Sequence, residues 1–173
     1  MTRDPVVTTG TIATPSGNWR IERQIDRITG GPLSSAIVMT TQVANSSVAF
    51  PQPAMLQLTC FKRDPIVRFG FGFKVGSTRN STLGYRFDEK PGHEIDARFL
   101  QEAKTVVIED RAAVAQFVQE LATSQSLYVR IRSLNAGRTS AEFRVDGAPA
   151  AIAAGLADCP VKAGPDRPRT AAR

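Results

Sequence analysis

The sequence is poor in the residues that most often form catalytic and metal sites, with one histidine and two cysteines among 173 residues. A serine–histidine–acid triad would have to use His93, and no serine beside it lies in the setting of an activated nucleophile. Cys60 and Cys159 are 99 positions apart, so they lack the short spacing of zinc ligands. The sequence therefore predicts no catalytic residues, no metal site and no cofactor.

Long apolar segments are also missing. No run approaches the ~20 residues that cross a bilayer, and no apolar segment follows the first few residues as it does in a signal peptide. If the protein is exported, we expect this chain to be a mature or trimmed form from which the signal peptide is missing. A hydrophobic content of 42% and a charged content of 22% are those of a globular protein. We predict a flexible N-terminal arm at 1–17, a single β-rich domain at 18–160 and a disordered basic tail at 161–173.

Positive charge exceeds negative charge in this chain. The net charge is +6 and the isoelectric point is about 9.9. The basic residues are dispersed and many alternate with apolar ones, as in the segment 128–132. That alternation is typical of the solvated face of a half-buried sheet. With no basic–aromatic platform and no nucleic-acid-binding motif, the sequence disfavours nucleic acid as a partner. It favours another protein or an anionic envelope component.

Strict alternation of apolar and polar residues predicts most of the secondary structure. Residues 66–75 place large apolar side chains at every second position, which predicts a half-buried antiparallel strand. The segment 82–88 aligns Leu83, Tyr85 and Phe87 in the same way, whereas 89–97 is polar and predicts a loop that exposes His93. The fold class predicted is mainly β, an antiparallel sandwich or bent sheet with two short helices packed on it.

Two segments have helical spacing instead. Asp110 is placed as the N-cap of a helix whose apolar residues recur at positions i, i+3, i+4 and i+7. These residues are Val114, Phe117, Val118 and Leu121. A last helix opens at Gly147–Pro149, since proline is tolerated in a first turn. Its predicted inner stripe consists of Ile152, Leu156 and Cys159.

The two cysteines are predicted to form a disulfide. Cys60 shares a strand face with Leu56 and Leu58, and the stripe of the last helix directs Cys159 towards the sheet. Such a bond would contribute roughly 4–5 kcal/mol in the loop-entropy description. It persists in oxidising compartments, so it favours a periplasmic or secreted protein. The alternative is a cytosolic protein with two free thiols.

Three arginines form the candidate binding patch. Arg130, Arg132 and Arg144 fall on the outward face of the predicted hairpin 127–145, where they would attract an anionic partner. The alternative is an ordinary solvated sheet face, which Glu142 would partly neutralise.

The order of motifs resembles a group of exported bacterial proteins. These motifs are Trp19-Arg20-Ile21, Asp26, a Leu-x-Leu-x-Cys strand at 56–60, Tyr85-Arg86-Phe87-Asp88, Phe-Val-x-x-Leu at 117–121, a strand at 127–132, the segment 141–147 and Cys159. The chain resembles the periplasmic TagO/VasI-like proteins associated with type VI secretion, and it is similar in general form to the invasion-associated locus B family. The resemblance implies a non-enzymatic periplasmic accessory or binding protein with a disulfide. A cell-wall-directed enzyme or inhibitor module and a self-assembling structural protein stay open as alternatives, as do the partner and the oligomeric state.

Overall fold

A computed structural model describes residues 12–13, 18–76, 82–96, 98–100, 103–133 and 136–161. These described residues form two helices, α1 (Arg111–Leu121) and α2 (Ala148–Gly155), and a set of strands. The strands are, in chain order, β1 (Ile12–Ala13), β2 (Arg20–Ile25), β3 (Pro32–Thr40), β4 (Val43–Asn45), β5 (Ala54–Phe61), β6 (Asp64–Gly70), β7 (Thr82–Phe87), β8 (His93–Asp96), β9 (Arg98–Leu100), β10 (Thr105–Ile108), β11 (Ser126–Ser133) and β12 (Gly137–Arg144). Apart from β1 and Val161, the predicted N-terminal arm and basic tail lie outside the described residues.

The strands build two antiparallel sheets. A seven-stranded sheet has the order β1-β2-β3-β5-β6-β10-β9, and a five-stranded sheet has the order β4-β12-β11-β7-β8. Alternation explains which side chains face the core, since Leu83, Tyr85 and Phe87 of β7 are buried while their neighbours along the strand are not. Both sheets and both helices contribute side chains to one apolar core. The mainly β class with two short helices is therefore confirmed.

The row of phenylalanines does not form one long strand. The ladder of β6 ends at Gly70, five residues before the predicted end. Phe71 and Val75 are nevertheless buried, and their N–H groups are satisfied by donating to the backbone carbonyls of Lys104 and Ala103 at 2.9 Å each. Alternation thus identified the buried side chains correctly, but these residues pair with a turn instead of a strand.

His93 lies on a strand, so the predicted loop over 89–97 is wrong in its second half. Strand β8 pairs with β7, and His93 stands directly opposite Tyr85. The turn between them is closed by Arg86, whose Nε donates to the carbonyl of Lys90 at 2.8 Å. A short polar strand at the edge of a sheet has little apolar alternation to reveal it. That is why the sequence pattern here resembled a loop.

Helix α1 begins and packs as its sequence predicts. The carboxylate of Asp110 accepts the N–H of Ala113 at 3.0 Å, which satisfies one of the free donors of the first turn. The four predicted core residues of the helix are all buried. Phe117 is central among them, because its ring centroid lies 6.0 Å from that of Phe69, 5.1 Å from that of Tyr85 and 5.0 Å from that of Phe87.

Helix α2 packs on the seven-stranded sheet through its small residues. Gly155 allows the close approach, because an added Cβ would lie 2.8 Å from the Cβ of Ala36 on β3 and 3.1 Å from the carbonyl oxygen of Leu58 on β5. The predicted stripe is right for Leu156 and Cys159, which are buried. Ile152 is half-buried: it packs against the core and also lines an open groove between the two helices.

The predicted disulfide is present. Cys60 on β5 and Cys159 in the turn after α2 are bonded, with Cα atoms 5.9 Å apart. Beyond this covalent link, the indole Nε1 of Trp19 donates to the carbonyl of Val145 at 3.2 Å in a buried hydrogen bond. That bond joins the residue before β2 to the residue after β12, and therefore one sheet to the other.

Candidate functional site

The face of the five-stranded sheet that points away from the core carries the three predicted arginines and most of the polar side chains around them. We call it the outer face. Its inward neighbours Val129, Ile131, Ala141 and Phe143 are buried, so the alternate residues point outwards. By register these are Arg138, Ser140, Glu142 and Arg144 on β12, Ser126, Tyr128, Arg130 and Arg132 on β11, Thr82, Gly84 and Arg86 on β7, and Glu94 and Asp96 on β8.

The three predicted arginines share this face but do not form one stripe. Arg130 reaches across β7 to β8, where its Nη2 lies 3.2 Å from Oε1 of Glu94. Arg144 makes an ion-pair contact with Asp146 at 3.7 Å between Nε and Oδ1. Along the strands Arg144 and Arg130 are four positions apart, or about 13 Å. Of the three, only Arg132 has no ion pair with a carboxylate in the described part of the chain.

A fourth arginine stands beside Arg132. Arg138 is its direct cross-strand partner, and both side chains are exposed. Like charges placed directly opposite each other destabilise an antiparallel pair. Over the described residues, neither guanidinium is paired with a carboxylate. The pattern overlooked Arg138 because it began the second strand at Thr139, although the register of the hairpin would have placed the two arginines opposite each other.

A shallow groove of about 790 Å³ begins at this arginine pair and runs along the hairpin to Tyr128. Ser140 lines it between the two ends, whereas its cross-strand partner Arg130 is paired with Glu94 and does not line the groove. Tyr128 is 44% exposed at the far end. The groove therefore has two cations at one end, an exposed aromatic ring at the other and a serine hydroxyl between them.

The loop after β4 forms a firm wall for the groove. The Oγ of Ser46 accepts the N–H of Arg138 at 3.0 Å, and the Nδ2 of Asn45 donates to the Oγ1 of Thr139 at 2.7 Å. Gly137 has a left-handed backbone with φ of 74°, and Ser46 packs against it where a side chain would otherwise stand. The backbone of Arg138 is thus held by Ser46 on one side and by its strand partner Arg132 on the other.

Behind the sheet edge, His93 belongs to a structural cluster. Its Nε2 lies 2.7 Å from Oε2 of Glu120 in an ion-pair contact without hydrogen-bond alignment, and its ring centroid lies 5.0 Å from that of Tyr85. Burial, and secondarily the charge of Glu120, raises the pKa of the Tyr85 phenol to about 12. Lys90 closes the end of α1 by donating from Nζ to Oγ of Ser124 at 2.5 Å and to the carbonyl of Glu120 at 3.4 Å. The cluster ties β8 to the helix.

Asp88 directly follows β7, and its side chain connects the end of that strand to the start of β11. Its carboxylate accepts the N–H groups of Gln125 and Ser126, at 3.1 and 2.9 Å, and the Ser126 hydroxyl at 3.0 Å. Burial alone would raise the pKa of this carboxyl. The hydrogen bonds from Ser126 and Gln125 outweigh that effect and lower the pKa below its ordinary value.

We expect the substitution Asp88→Asn to lower the free energy of unfolding by about 1 kcal/mol at neutral pH, because an amide accepts these hydrogen bonds less strongly than a carboxylate. Since the pKa of Asp88 is lower in the folded than in the unfolded chain, its stabilisation is complete above the unfolded value and is lost as the pH falls through the folded value. Urea denaturation of both proteins across the acid range measures this difference. Asparagine tolerates the left-handed backbone at this position (φ 46°), so strain is not added. A gap between the proteins that does not narrow in acid would contradict the assignment.

One further depression bears on the enzyme hypothesis. Asp96 lines a space of about 390 Å³ together with Glu109 and Asp110, whereas His93 and Glu94 do not line it. Glu109 pairs with Arg98 at 2.9 Å, and Asp110 caps α1. Two of its three carboxylates thus have structural partners. In the part of the chain that the structure describes, no group of three or more histidine, cysteine or acidic residues is arranged to hold a metal.

No family model, curated protein or solved structure matches this chain. Among the described residues, no helix combines the length and apolar character needed to pass through a bilayer.

Proposed function

We propose that this chain is a non-enzymatic periplasmic binding protein that docks on an anionic envelope component through its outer face. The disulfide supports location in an oxidising compartment. The resemblance to secretion-associated periplasmic proteins favours an accessory role of this kind. The grooved and basic end of the outer face is the surface that this role requires.

The pair of Arg132 and Arg138 is the observation that carries the proposal. Two guanidinium groups lie opposite each other without a described carboxylate between them. In the free protein this arrangement is unfavourable, whereas a phosphate or carboxylate bound between them would be bridged by both. Arginine suits such a site because its planar fork donates to both oxygens of one anionic group. Binding of an anion between these two arginines therefore releases more free energy than binding of the same anion to an ordinary solvated sheet face.

Co-sedimentation with lipopolysaccharide aggregates tests the proposal. We expect the wild-type protein to sediment with the aggregates and to be released as salt is raised. The double substitution R132E/R138E is expected to weaken binding about tenfold or more, since charge-assisted hydrogen bonds to both arginines are lost.

A matched control is available on the other sheet. Arg23 of β2 and Arg27 in the turn after it are exposed, so R23E/R27E changes the net charge equally without touching the groove. We expect this control to retain most of the binding. Equal loss in both double variants would mean that total charge alone drives adsorption. An R132E/R138E protein that still binds like the wild type would remove the outer face from the interaction.

A further inference from the structure

The groove joins two different kinds of recognition element. At one end lie the guanidinium groups of Arg132 and Arg138, which are paired with no carboxylate among the described residues, and at the other lies the half-exposed ring of Tyr128, about 13 Å along the strand. We infer that the groove binds an acidic saccharide, with a carboxylate or phosphate held by the two arginines and a sugar ring stacked on Tyr128. This inference rests on the proposed function and names the class of ligand.

The arginine end defines the anionic part of the ligand. Arg132 and Arg138 come from neighbouring strands and meet at the end of the hairpin, so one small anion can accept from both. Ser46, fixed by its hydrogen bond from the backbone of Arg138, lines the same end of the groove. Its hydroxyl hydrogen stays available to donate to a third ligand oxygen.

The tyrosine end defines the neutral part. An exposed aromatic ring offers a flat apolar face with a polar tip, which suits the C–H face and the hydroxyls of a pyranose. Tyr128 stands opposite Glu142 in the register of the hairpin, which places an acceptor on the strand beside it, whereas Arg86 on the other side donates to the carbonyls of Lys90 and Glu89. Ser140 adds a hydroxyl along the groove between the two ends. Such a mixture of one ring and several hydrogen-bonding groups matches a sugar better than an acyl chain.

The charge distribution disfavours an extended polyanion such as a nucleic acid. Asp96 on β8 and Glu142 on β12 lie on either side of the arginine-bearing strand β11 and make no ion pair among the described residues, whereas Glu94 is paired with Arg130. A ligand with a negative charge at every unit would be repelled by these carboxylates. A saccharide with a single acidic group avoids that repulsion and still uses the arginine pair.

Isothermal titration with four probes tests this inference: a glucose trisaccharide with a phosphate at one end, a glucose trisaccharide ending in glucuronic acid, inorganic phosphate and the neutral glucose trisaccharide. Three linked rings match the distance of about 13 Å between the two ends of the groove. We expect the two acidic sugars to bind more tightly than phosphate or the neutral trisaccharide, because only they engage both ends of the groove. The substitution Tyr128→Ala should weaken the acidic sugars about tenfold and leave phosphate unchanged, whereas Tyr128→Phe should retain the stacking and most of the affinity. R132E/R138E should abolish binding of all the charged probes, and R23E/R27E should not.

Phosphate and the acidic sugars binding equally, with no effect of Tyr128→Ala, would overturn the saccharide assignment. Absence of binding of all four probes would overturn it as well. Neither result would remove the proposed function, which depends on whether lipopolysaccharide binding requires Arg132 and Arg138. Circular dichroism spectra matching the wild type would show that each variant is folded.

Discussion

Replacing Phe117 by alanine is expected to lower the free energy of unfolding by about 3–5 kcal/mol. The side chain is fully buried and its ring contacts Phe69 of β6 as well as Tyr85 and Phe87 of β7. It is therefore packed against both sheets at once, and a cavity at this place would be lined by three rings. Edge-to-face ring contacts add to the loss of apolar burial. Urea denaturation followed by circular dichroism measures the change.

Phe50 offers a matched control for this substitution. It is a phenylalanine that is 93% exposed, so Phe50→Ala removes the same atoms from a position without core contacts. We expect that variant to stay within about 0.5 kcal/mol of the wild type. Comparable losses in the two variants would show that the contacts of Phe117 with residues of the two sheets do not stabilise the fold.

Removal of the disulfide is the second large effect. We expect C60A/C159A to lose about 2–5 kcal/mol of unfolding free energy. The bond closes a loop of 99 residues that contains strands of both sheets and helix α1. Without it, the unfolded chain gains conformations while the folded chain loses the covalent attachment of α2 to β5. Urea midpoints of the variant and the wild type, each with and without reductant, measure the effect.

The reductant series contains its own control. Reduced wild-type protein should denature at nearly the same urea concentration as C60A/C159A, and reductant should leave the variant unchanged. Mass spectrometry of the untreated protein after alkylation should find no free thiol. Two alkylated cysteines in protein isolated from its native compartment would contradict both the bond and the proposed location.

Local patterns predicted the parts of the fold in which one element meets one apolar surface. The alternation of Leu83, Tyr85 and Phe87 identified β7, and the spacing from Val114 to Leu121 identified α1 with its cap. The same logic placed Cys60 and Cys159 on inward faces, which was enough to pair them. In each case the spacing of apolar residues within one segment shows which of its side chains are buried.

Features that depend on distant partners were not predictable in this way. The backbone at Phe71 and Val75 is satisfied by the turn at 103–104, which alternation cannot show. Strand β8 gains its regular structure by pairing with β7, and its own residues are polar. Division into two sheets also depends on long-range pairing, since β4 joins β12 almost a hundred residues later.

The candidate site shows the same division between local and long-range information. Spacing placed Arg130, Arg132 and Arg144 on one outward face, and the register confirms that placement. It could not show that Glu94 engages Arg130, because β8 had not been recognised. Arg138 was missed by one residue at a strand boundary, which is the least certain feature of any sequence pattern.

The close contact at Gly155 also couples the packing of α2 to the crosslink. Gly155 lies directly against Ala36 and the carbonyl of Leu58, and Cys159, four residues later, is bonded to Cys60. A bulkier residue at position 155 would meet the Cβ of Ala36 and push α2 away from the seven-stranded sheet. We therefore expect such a residue to hinder formation of the bond between Cys60 and Cys159 as well as the packing of the helix.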